Sequence, residues 1–91
     1  MKKSILLIDD EMDFLECLII RVESMGLTFD SCSSFNEAIK LLNKTSYDLI
    51  VSDIHLADAC GLAIADWINK NASDTKIIFI TGLLDEHDVN D

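Results

Sequence analysis

The chain has 91 residues, 49% of them hydrophobic, and a formal net charge of −10. That length holds one domain with one shared core, and that hydrophobic content excludes a disordered chain. The acidic balance argues against nucleic acid, which selects basic surfaces, and no apolar run approaches the length of a membrane helix.

The start, Met1-Lys2-Lys3, imitates the charged head of an export signal, but the apolar stretch Ile5–Ile8 behind it is short and runs into Asp9 and Asp10. The three cysteines, Cys17, Cys32 and Cys60, form no CxxC pair, and two histidines leave a structural zinc site short of ligands. Buried reduced thiols and a cytoplasmic protein are the expectation.

Ser4–Ile8 is almost wholly apolar, the pattern of a strand covered on both faces. From Glu11 to Met25 the residues Phe14, Leu18, Val22 and Met25 recur at helical spacing, and Gly26 is placed to end that helix. Leu27–Cys32 alternates as a shorter, more exposed strand. Ser34 and Glu37 form a capping box, after which Phe35, Ala38, Ile39 and Leu42 mark a second helix.

Asp48–Asp53 contains a third strand. A helix from about Asp58 to Asn71 carries Leu62, Ala65 and Ile68 inward, and Lys76–Thr81 is a fourth strand. Leu83 onward reads as the start of another helix. Strands alternating with helices predict an α/β fold with right-handed crossovers and a doubly wound parallel sheet.

In such a sheet, ligands bind beyond the carboxyl ends of the strands. Asp9 and Asp10 end the first strand, Asp53 the third and Thr81 the fourth, so four polar residues meet at one edge. Three are carboxylates, which repel one another unless a cation sits between them. Magnesium suits that donor set, since it takes oxygen ligands and leaves room for phosphate oxygens. Asp53 is then the candidate nucleophile, as carboxylates form acyl phosphates, and Thr81 offers a hydroxyl to a phosphate oxygen. The bland alternatives are a helix cap for Asp10 and a simple strand former for Thr81.

The segments LLIDDE, DLIVSDIHLADACG and IIFITG, in this order and spacing, resemble the receiver domain of bacterial two-component response regulators. The resemblance covers the whole chain, residues 1–91. It implies a flavodoxin-like sheet ordered 2-1-3-4, with a fifth strand, a fifth helix and a lysine of the family not reached before Asp91. It implies magnesium bound by Asp9, Asp10, Asp53 and the main-chain carbonyl of His55. It further implies phosphorylation on Asp53, switching by the Thr81 hydroxyl, and a sensor histidine kinase or phosphotransfer protein as donor. No lysine of this chain follows Thr81, so slow phosphorylation is expected, and Ala57 stands where the family usually has proline.

Two other readings compete: an interaction module without a phosphorylation cycle, and a magnesium-dependent phosphohydrolase using Asp53. The second is disfavoured because no obvious general acid or base lies near Asp53 in the sequence. With the fourth strand at an edge, Lys76–Thr81 is also expected to template self-association.

Overall fold

The computed structural model describes residues 2–71 and 74–80. Four strands, β1 (Lys2–Ile8), β2 (Phe29–Cys32), β3 (Ser46–Asp53) and β4 (Lys76–Ile80), alternate with three helices, α1 (Met12–Ser24), α2 (Phe35–Leu42) and α3 (Leu62–Asn71). All strand pairs are parallel and the order is β2-β1-β3-β4. The expected α/β sheet and its strand order are therefore present. Thr81 and the predicted helix from Leu83 lie outside the described residues.

The apolar run of β1 follows from its position between two layers. Ile5 and Leu7 pack with Leu15 and Val22 of α1, while Leu6 and Ile8 pack with Ala38 and Leu42 of α2 and Ile64 and Ile68 of α3. Alternate residues of one strand thus enter two separate cores. Polar side chains could not occupy such a strand without losing water on both faces.

α2 buries the expected Ala38 and Leu42, and Val22 of α1 and Ile68 of α3 are buried as expected, but the faces of α1 and α3 are otherwise rotated. In α1 the buried residues are Leu15 and Val22, whereas Met25 is 63% exposed. In α3 they are Ile64 and Ile68, whereas Leu62 is 53% exposed. Both stretches hold more apolar residues than one stripe needs, so spacing alone admits two registers and packing against the sheet selects one. The buried-thiol expectation holds only for Cys32, since Cys17 and Cys60 are exposed.

Both ends of α1 are satisfied locally. Gly26 sits at φ 74°, its N–H reaches the carbonyl of Glu23 at 3.0 Å, and that of Leu27 reaches Val22 at 3.4 Å. This Schellman turn needs the left-handed conformation that glycine adopts without strain. At the other end Glu11, not Asp10, caps α1, accepting from the N–H groups of Asp13 and Phe14 at 3.1 and 3.2 Å. Asp10 is thereby left free of the capping role.

One polar network ties three strands together. The Asp30 carboxylate of β2 accepts from Lys3 Nζ of β1 at 2.8 Å and from the Tyr47 hydroxyl of β3 at 2.6 Å. Burial pushes the Asp30 carboxyl up, but its bonds to Lys3 and Tyr47 outweigh that and hold it below the usual carboxylate range. A depressed folded-state pKa adds stability above the unfolded value that is lost as pH falls through the folded one. Tyr47→Phe is therefore expected to cost about 1–2 kcal/mol at neutral pH in urea denaturation, with the gap closing below about pH 4. An undiminished gap at low pH would separate the effect from Asp30 ionisation.

Candidate functional site

The parallel sheet delivers its strand ends to one edge, and three carboxylates arrive there. Asp9 follows β1 directly, anchored by its N–H to the Cys32 carbonyl of β2 at 3.2 Å. Asp53 is the last residue of β3 and registers with Ile80 of β4. One carboxylate oxygen from each of Asp9, Asp10 and Asp53 lies within 4.8 Å of the others. The sequence-predicted trio is thus brought together, while Thr81, next in the chain after β4, lies outside the described residues.

Asp9 is only 2% exposed, and Asp10 and Asp53 are half-buried. Burial, followed by the charges of Asp53, Asp10 and Glu11, raises the Asp9 carboxyl above its ordinary value, against one stabilising bond from the Glu11 N–H at 2.9 Å. Among the described residues, the two ion pairs, Lys2–Asp48 and Lys3–Asp30, involve none of the three carboxylates. A hard divalent cation fits this all-oxygen, anion-rich donor set, and magnesium or calcium would relieve the repulsion.

Removing one charge should relieve it too. The raised pKa of Asp9 means that stability falls as pH rises from about 4 through the folded-state value. Asp9→Asn is expected to gain about 0.5–2 kcal/mol at neutral pH without metal, and to bind magnesium more weakly. Equal urea midpoints for the two proteins would argue against strong repulsion.

Residues 54–61, expected to be helical from Asp58, instead form a small hairpin before α3. The Gly61 N–H donates to the Ile54 carbonyl at 2.6 Å, and that of Leu56 to Ala59 at 3.2 Å, leaving His55 and Cys60 opposite one another. In this pairing the ladder bonds pass through the neighbours, so the N–H and C=O of His55 both point away from Cys60. That N–H donates to Asp53 Oδ1 at 3.2 Å. The His55 carbonyl faces the same side, whereas the side chain is exposed.

Two residues given no role from sequence shape this loop. Gly61 is buried, and a Cβ there would press into the Asp53 carbonyl oxygen and approach Ile54 Cα to 3.1 Å. A glycine just ahead of the helical periodicity was its available signal. Asp58 accepts from the N–H groups of Phe35 and Asn36 at 2.9 and 3.1 Å, and these bonds hold its carboxyl below the usual range. Backbone partners so far away in the chain leave no sequence signal.

A family model described as the response regulator receiver domain matches residues 5–91. This chain belongs to the response regulator receiver family. The receiver is 34% identical over 80 residues to the response regulator protein PilR of Pseudomonas aeruginosa, covering 88% of this chain and 18% of PilR. It is 30% identical to the transcriptional regulatory protein NatR of Bacillus subtilis, covering 84% of this chain and 34% of NatR.

Among solved structures, the Thermotoga maritima response regulator TrrA, in complex with magnesium and BeF, superposes with a TM-score of 0.82. That match has 34% identity over 98% of the receiver and 76% of TrrA. A Burkholderia pseudomallei response regulator with a phosphorylated aspartic acid and a calcium ion gives 0.81, at 27% identity over 93% of the receiver and 50% of that chain. Receivers are signalling domains of two-component systems. Among the described residues, no helix is long and apolar enough to cross a membrane.

Proposed function

We propose that this chain is a cytoplasmic phospho-accepting receiver in which Asp53 takes a phosphoryl group from a phosphohistidine. The observation that carries this reading is the convergence of Asp9, Asp10 and Asp53 within 4.8 Å at the carboxyl edge of the sheet. Asp9, Asp10 and Asp53, with the main-chain carbonyl of His55, would hold magnesium. The bound ion supplies positive charge that offsets the phosphoryl oxygens and aligns them for in-line displacement.

An Asp53 carboxylate oxygen attacks phosphorus, a P–O bond forms, and the P–N bond to the donor imidazole breaks. The electron pair leaves with the imidazole nitrogen, which takes a proton. The N–H of His55, already on Asp53 Oδ1, orients the carboxylate for attack. Thr81 donates its hydroxyl to the transferred group, which couples phosphorylation to a conformational switch. The acyl phosphate is then lost by slow autodephosphorylation rather than by enzymatic turnover.

A sensor histidine kinase or a phosphotransfer protein is the donor. TrrA, at 33% identity and a TM-score of 0.81, has been solved in complex with the histidine kinase ThkA, which supports that class of partner. Where the chain self-associates, β4 is the strand on offer: it is outermost of the four described, and Ile78 on it is 52% exposed. The test is incubation with acetyl phosphate with and without magnesium, followed by intact-mass measurement. One base-labile phosphoryl group per chain, acquired only with magnesium, is expected; no incorporation would overturn the reading.

A further inference from the structure

The loop that leaves Asp53 is gripped at its tip by a helix from another part of the chain. The first-turn N–H groups of a helix have no intrahelical partners. In α2 the Glu37 N–H is taken by Ser34 Oγ at 3.1 Å, but those of Phe35 and Asn36 are taken by Oδ1 and Oδ2 of Asp58 at 2.9 and 3.1 Å. A carboxylate held through both oxygens is fixed in position and in orientation.

Among the described residues, the rest of the loop is held by the core packing of Leu56 and by its own hairpin bonds, from Leu56 to Ala59 and from Gly61 to Ile54. Ala57, Asp58 and Cys60 are exposed. Ala57 leaves φ free at the tip, where a proline would set it. Between these anchors lies His55, whose N–H bonds Asp53 and whose carbonyl the pairing with Cys60 turns to the same side. Magnesium demands near-ideal octahedral geometry, so a small displacement of either group weakens binding.

We propose that Asp58 is a positioning residue for metal binding: by gripping the start of α2 it holds residues 54–61 so that Asp53 and the His55 carbonyl keep the geometry magnesium requires. This rests on the magnesium reading above. It makes α2, which contributes no carboxylate to the site, part of what sets its affinity.

The test is calorimetric titration of magnesium chloride into the whole chain, as wild type, Asp58→Ala, Asp58→Asn and Ser34→Ala. Ser34→Ala removes the other acceptor at the same helix start without touching the loop, so it reports the loss of a helix cap alone. Asp58→Ala is expected to raise the magnesium dissociation constant about tenfold, the size seen when a group that orients metal ligands is removed. Asp58→Asn keeps one acceptor oxygen and should fall between; it carries the test if the alanine variant does not fold. Ser34→Ala should bind as the wild type does, although it too melts at a lower temperature. An unchanged constant in both folded Asp58 variants, or an equal rise in Ser34→Ala, overturns the proposal. A wild type that takes up no magnesium overturns instead the reading of the acidic site.

Discussion

Asp53→Asn is expected to remove phosphorylation by acetyl phosphate, lowering the rate by on the order of 10⁴-fold or more, to background. The amide keeps the size of the side chain and an oxygen that can still accept from the His55 N–H. It lacks the anionic oxygen that attacks phosphorus. It also removes one of the three charges at the sheet edge, so the variant should fold at least as stably as the wild type. Intact mass after incubation separates loss of chemistry from loss of fold, provided a melting curve is taken beside it. A folded Asp53→Asn protein that still gains one base-labile phosphoryl group would move the nucleophile elsewhere.

Gly61→Ala is expected to cost about 1–3 kcal/mol and to slow phosphorylation about 100-fold. The new Cβ would meet the Asp53 carbonyl oxygen, with Ile54 Cα at 3.1 Å and the Asp53 carbonyl carbon at 3.2 Å. All three are backbone atoms, so no side chain can rotate away to make room. Either the hairpin opens, breaking the bond from Gly61 to Ile54, or Asp53 moves with its carboxylate. Urea denaturation reads the first consequence and an acetyl phosphate time course the second. Wild-type stability together with wild-type rate would mean that the close approach at Gly61 constrains nothing.

The two predictions concern the last residue of β3 and the loop that follows it, and the two residues differ in how far they could be foreseen. Asp53 could be found because it ends an apolar run that must be a buried strand, and ends of parallel strands are where ligands collect. Gly61 could be noticed but not assigned, since a glycine in a loop meets many needs and only the nearby Asp53 carbonyl says which one applies. The sequence places Asp58 at the start of the expected third helix, and nothing in it names a partner for that carboxylate. Asp58 caps a helix, but the one before.

Beyond the strand order, which the family resemblance implied, the sequence by itself determined the alternation of strands and helices, their parallel direction and the gathering of Asp9, Asp10 and Asp53. Those follow from period and chain order, which are local properties: two-residue or 3.6-residue spacing, and the rule that crossovers return strands in the same direction. Tertiary structure alone decided which face of α1 and α3 is buried, that Glu11 rather than Asp10 caps α1, and that Asp58 reaches α2. In α1 and α3 apolar residues are in surplus, so local spacing is degenerate and the shape of the sheet breaks the tie. Asp58 meets Phe35 and Asn36 only because α2 and the β3–α3 loop are stacked over the same face of the sheet, and the N–H groups it binds belong to the backbone, which every sequence shares.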